Sequence, residues 1–167
     1  MSLRETLEKM ERSEKETAQK VRETLKQWRE VAIPGLFEQV KEMLSDLIVD
    51  GLITVGPRRT EPRSEQLTGQ YSIDVLDLSI RGRTITFSPV ARYVFGSAGR
   101  VDLFARGGLA TRYLLLRTVD DATGKDRWGI VSEENRRQSK KGLRFPGALP
   151  ELSRPTLEDA IQKLLQR

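Results

Sequence analysis

Up to Gly51 the apolar residues of this chain recur every three to four positions, and beyond it they recur every second position. Helical spacing returns only in the last dozen residues. A period near 3.6 requires a helix with one buried stripe, and a period of 2 requires a strand with one buried face. The fold class expected is therefore α+β. It comprises two N-terminal helices, an antiparallel meander of about six strands, and a C-terminal helix packed on the sheet.

The first helix is expected from about Leu3 to Val31. Leu3, Leu7 and Met10 have the 4-3 spacing of a heptad seam, which then passes through Glu14 and Thr17 and recovers at Val21. Glu5–Lys9, Glu8–Arg12, Glu11–Lys15 and Glu16–Lys20 place each acid four residues before a base, worth roughly 0.2–0.5 kcal/mol a pair. Local pairing can hold such a helix while it stays in water. Residues 1–32 accordingly read as an arm, a candidate dimerisation element, and 33–167 as a single α+β domain. Ile33-Pro34-Gly35 is expected to end the arm, because Pro34 disfavours helical dihedrals at the residue before it. A second helix should run from Pro34 to Asp50, with Leu36, Phe37, Val40, Met43, Leu44, Leu47 and Ile48 on one face and Gly51 as its left-handed cap.

Beyond Gly51 the segment 56–69 reads as a long polar loop. Tyr71, Ile73 and Val75 alternate in one phase and Leu76, Leu78 and Ile80 in the other, which calls for a bulge at Val75–Leu76 or a strand covered on different faces in its two halves. Arg81-Gly82 suits a two-residue hairpin turn. Strands follow at 83–88, with Pro89 at an edge or bend, then at 90–95, 100–106, 111–119 and 127–132. A short strand is expected at 143–145. Leu114-Leu115-Leu116 marks a strand buried on both sides. Thr156 and Asp159 resemble a capping box for the last helix, whose stripe is Leu157, Ala160, Ile161, Leu164 and Leu165.

The chain has neither histidine nor cysteine. That excludes disulfide scaffolds, zinc fingers, thiol catalysis and Ser-His-Asp hydrolysis. Neither a phosphate-binding loop motif nor a dinucleotide fingerprint occurs. A metal would need oxygen ligands, for which Asp74, Asp77 and Asp102 are the strand-borne candidates; no metal and no cofactor is expected. The lysines open to a Ser-Lys dyad, Lys125, Lys140 and Lys141, lie in polar segments where lysine keeps a high pKa.

Charge divides unevenly. Residues 1–50 carry 9 basic and 11 acidic groups, residues 51–150 carry 17 and 10, and the remainder 3 of each. The middle segment thus holds +7 of charge, mostly as arginine, which forks onto carboxylate or phosphate. Arg58, Arg59, Arg63, Arg100, Arg136, Arg137, Lys140 and Lys141 are the candidate contacts to an anion or nucleic acid. No apolar run reaches the roughly 18 residues of a membrane span, and residues 1–10 have no apolar signal core, so a cytoplasmic protein without membrane contact is expected. The function expected is a non-catalytic binding or assembly module. Its helical arm would self-associate and its basic sheet and loops would meet an anionic protein or nucleic acid. The alternatives are sequence-indifferent nucleic-acid binding and an oxygen-ligand, metal-dependent nuclease or hydrolase.

Overall fold

A computed structural model describes residues 2–92, 98–108, 112–138 and 149–166. The fold is α+β. Helix α1 spans Leu3–Gln27, and Ser2 caps it: its hydroxyl accepts from the Glu5 amide, and the Glu5 carboxylate accepts from the Ser2 amide. The helix does not end at Pro34. A π-helical turn, Trp28–Ala32, carries it into α2, Ile33–Met43, with Ala32 and Ile33 both helical. The physical reason lies in the wider turn. Ile33 donates to the Trp28 carbonyl five residues back, so the ladder is already shifted where Pro34 lacks an amide hydrogen. The extra residue also brings Trp28, Ala32, Ile33, Leu36, Phe37 and Val40 into the same core.

The expected second helix breaks at Leu44 and finishes as α3, Ser45–Val49. Gly51 ends it with φ at +75°; the Leu52 amide donates to Leu47 and the Gly51 amide to Ile48, the paired bonds of a Schellman cap.

Among the described residues seven strands form one antiparallel sheet: β1 Thr54–Val55, β2 Arg59–Glu65, β3 Gly69–Ile80, β4 Arg83–Ala91, β5 Arg100–Ala105, β6 Tyr113–Val119 and β7 Asp126–Ser132. Their order is β1-β3-β4-β5-β6-β7, with β2 also on β3. β2 replaces the expected loop at 56–69. β3 is one strand with two sets of neighbours: 69–75 pair with β2, and 76–80 pair with β4. Its phase switch falls at that change. The extra residue sits in the partner, because the register moves by one between Val55↔Leu78 and Arg59↔Val75. Tyr71 and Ile73 belong to the same core cluster as Leu76, Leu78 and Ile80. Arg81 and Gly82 both have positive φ, forming the tight β3–β4 turn. Pro89 stays within β4, at a register shift beyond the end of the β3 ladder. Leu114, Leu115 and Leu116 are all buried, as expected of an interior strand.

A short helix α4, Glu133–Gln138, follows β7 where only a polar stretch is expected. The Ile130 amide donates to Pro150 and the Leu152 amide to Trp128, so the chain at 150–152 lines the outer edge of β7. Helix α5, Arg154–Leu165, is capped by Ser153 and Thr156 rather than by the expected Thr156 and Asp159. The strand expected at 143–145 and residues 93–95 of that expected at 90–95 lie outside the described residues, while Val90 and Ala91 continue β4.

One face of the sheet, with Leu78, Ile85, Phe87, Val101, Leu103, Leu115 and Ile130, packs under α2 and α5. Cross-strand register assigns Asp77, Thr86, Ser88, Asp102 and Leu114 to the opposite face.

Candidate functional site

Two surfaces hold the residues that the sequence singles out. The first is the non-core face of the sheet. β2 presents Arg59, Glu61, Arg63 and Glu65 on its half-buried side and Thr60, Pro62 and Ser64 to solvent. Arg59 donates from Nε and Nη2 to the two Asp77 oxygens at 2.9 and 3.1 Å, and it also pairs with Glu61. Thr86 donates to Asp77 at 2.7 Å. Arg63 reaches Glu61 at 3.1 Å, the Ser88 hydroxyl at 2.6 Å and the Pro89 carbonyl at 2.6 Å. Asp102, beside Ser88 in register, accepts from Arg100 at 2.7 Å and from Arg112 at 3.1 Å, and Arg112 stacks over Phe104.

These contacts set the electrostatics. The Arg59 fork, then the Thr86 hydroxyl, holds the Asp77 carboxyl below the usual carboxylate range against the opposing effect of burial. Burial pushes the Glu61 carboxyl up, but Arg59 and Arg63 together more than offset it, and the group ends below its ordinary value. Asp77 raises the Arg59 pKa, so that guanidinium is charged at every accessible pH.

The candidate anion contacts therefore separate. Arg59, Arg63 and Arg100 are mostly buried among internal acceptors. Arg58 is 82% exposed, with one 3.3 Å contact to Asp74. Arg136 and Arg137 fall in α4, and Lys140 and Lys141 lie outside the described residues. Asp77 and Asp102 lie on the non-core face, Asp74 lies opposite Thr60 on the exposed side of β2, and each pairs with arginine. Among the described residues no three acidic groups come together as a metal cage would need.

The second surface is α1. No residue of the helix is buried, and Leu3, Leu7 and Met10 are 74%, 55% and 54% exposed. Its root, by contrast, is held firmly. Trp28 is fully buried, 6.3 Å from Trp128 between ring centres. Gly99 backs onto the Trp28 ring so closely that no side chain fits between them. Buried Arg117 donates to Asp126 at 2.9 Å and to Gln27 at 2.8 Å, and it lies 5.9 Å from the Trp28 ring centre. Arg92 donates to the Val21 carbonyl at 3.1 Å, and Arg29 to the Ser72 carbonyl at 2.8 Å.

No protein-family model, curated protein or solved structure matches this chain. Arg92, Arg112 and Arg117 are the residues that sequence reasoning missed. For Arg117 a signal was present, since alternation from Leu115 puts it on the core face of β6, where a charged residue needs a partner. No helix among the described residues is long and apolar enough to cross a membrane.

Proposed function

We propose that the protein is a non-catalytic assembly module of the cytosol, and that its α1 arm associates with a second copy. The observation that carries this reading is a capped, 25-residue helix that shows an exposed Leu3-Leu7-Met10 stripe while its root is locked into the core. An arm held this way projects in a fixed direction, so its stripe is pre-organised for a partner. Burying a Leu or Met side chain stabilises by about 1.5–3 kcal/mol. Six such side chains in a symmetric pair offset the lower part of the roughly 4–15 kcal/mol that association costs. Concentration-dependent self-association follows.

The sheet supports the second half of the reading, an anionic macromolecular partner. Exposed Arg58 and half-exposed Arg112 stand at the margin of the ionic face and are the groups best placed to reach one.

Light scattering on the full chain across a concentration series tests the arm. The expected result is a dimer that Leu7→Glu with Met10→Glu converts to monomer at unchanged circular dichroism. A strict monomer at every concentration refutes self-association. For the anionic partner, binding to a single-stranded oligonucleotide or an acidic peptide should weaken with salt and with Arg58→Ala plus Arg112→Ala; no binding at low salt removes that half.

A further inference from the structure

We propose that the α1 stripe of one copy seats in an apolar groove at the far end of a second copy, by reciprocal exchange. This rests on the self-association reading above and names the surface that receives the arm. The groove lies between the α2–α3 junction, the β3–β4 turn and α5. It has a volume of about 360 Å³, and Leu44, Leu47, Leu52, Ile53, Ile80 and Ile161 line it. Leu52 is 61% exposed beside it, and neighbouring Val49 is 83% exposed.

A chain cannot fill its own groove. α1, the π-helical turn and α2 form one continuous helical run from Leu3 to Met43. At 1.5 Å per residue Leu7 stands about 55 Å from Leu44. The occupant must come from elsewhere, and the arm of a second copy has the right pattern. Leu3, Leu7 and Met10 are the i, i+4 and i+7 anchors of a helix laid into an apolar groove.

Charge disfavours the parallel pairing of one arm against another. Glu14 follows Met10 on the seam, and no ion pair engages it among the described residues. Two arms in parallel register would set Glu14 against Glu14. Arg81, exposed at the β3–β4 turn and lining the groove, likewise has no ion pair among the described residues. An arm seated in the groove gives each of these charges its counterpart. Reciprocal exchange, each arm filling the other copy's groove, closes on a two-fold axis.

The experiment uses the full chain, by size exclusion with light scattering. Leu7→Glu with Met10→Glu removes the arm stripe, and Leu52→Glu charges the groove at an exposed position that leaves the core intact. Each should weaken the dimer at least tenfold. A mixture of the two variants should recover a heterodimer through the one arm and one groove left unaltered. Arg81→Glu should weaken association, and Glu14→Arg added to it should restore it. The chain has no cysteine, so Leu7→Cys with Leu52→Cys should give an oxidised, covalent dimer that neither single variant gives. If the arm variant dissociates the dimer while Leu52→Glu and Arg81→Glu do not, and Leu7→Cys alone cross-links, the arms pair with each other. The groove is then refuted and self-association stands. A wild-type monomer refutes both.

Discussion

Gly99→Ala tests whether the arm is truly rooted in the core. An alanine methyl at that position would lie 2.6 Å from Trp28 Cη2 and closer still to Cζ3. Carbon atoms in contact rest about 3.5–4.0 Å apart, so ring and backbone must separate by about 1 Å or more. Neither side gives easily. The ring is fully buried against Trp128 and Arg117, and the Gly99 carbonyl accepts from the Arg117 amide at 2.9 Å. Overpacking of a well-filled core costs about 1–3 kcal/mol, and a rigid indole puts this site near the top of that range. The loss of chain freedom in the unfolded state returns about 0.4–1 kcal/mol. The net destabilisation is about 2 kcal/mol, a fall in Tm of roughly 4–8 °C for a chain of this size. Thermal and urea unfolding at fixed protein concentration measures it, since dimerisation also moves Tm. Trp28→Phe withdraws the ring atoms that the methyl meets. It destabilises alone by leaving a cavity, and the double variant should then be more stable than the two losses added, by about 1 kcal/mol. A Gly99→Ala protein within about 0.5 kcal/mol of wild type, or a cycle with no coupling, refutes the seating of Trp28 on Gly99.

Without histidine, folding stability should be flat between about pH 5.5 and 7. Asp77 has a folded pKa below its unfolded value, through Arg59 and then Thr86, so its contribution is present above about pH 4 and is lost as pH falls through the folded pKa. Denaturant titrations should show that acid loss reduced in Asp77→Asn, and an unchanged acid limb refutes the assignment. Burial, then Glu65, raises the Tyr71 pKa; its contribution is complete below about pH 10 and declines above it, and Tyr71→Phe should flatten that alkaline loss. Ser2→Ala removes one half of the capping box, worth about 1 kcal/mol, from a turn that is exposed in the single chain. Amide exchange should therefore quicken in the first turn while global Tm holds. Arg117→Lys should cost about 2–3 kcal/mol, whereas Arg58→Lys should change stability by less than about 0.5 kcal/mol.

The elements legible in the sequence are those whose buried side is apolar. The stripes of α2 and α5, the alternation of β5 and β7 and the triple leucine of β6 each state period and face directly. β2 is equally regular, but its period of 2 is written in charge. Arg59, Glu61, Arg63 and Glu65 point inward, and a search for alternating hydrophobicity reads that segment as loop. The continuous helix through Pro34 is not legible for a different reason. A proline predicts a break only where the ladder is α-helical, and the π-helical turn that accommodates it is specified by the packing of Trp28, far away in sequence from Gly99 and Trp128.

The same distinction governs the site. An excess of arginine over lysine suggests an external anion, because a guanidinium offers several donors in a fixed fork. That property serves internal acceptors just as well. Arg59 spans Asp77 and Glu61, Arg63 spans Glu61, Ser88 and a carbonyl, and Arg117 spans Asp126, Gln27 and the Ala98 carbonyl. A lysine ammonium could not hold two such acceptors on opposite sides at once. Much of the basic middle segment is thus arginine because β2, β4, β5 and β6 meet one another through carboxylates and carbonyls. Among the described residues of that segment, the cations left exposed are Arg58, Arg81, Arg83, Arg106, Arg112, Lys125 and Arg127. The comparison of Arg117→Lys with Arg58→Lys decides between the two explanations. If both substitutions are equally mild, the forks are not what holds the sheet and the arm root together, and the arginines regain their claim to an external partner.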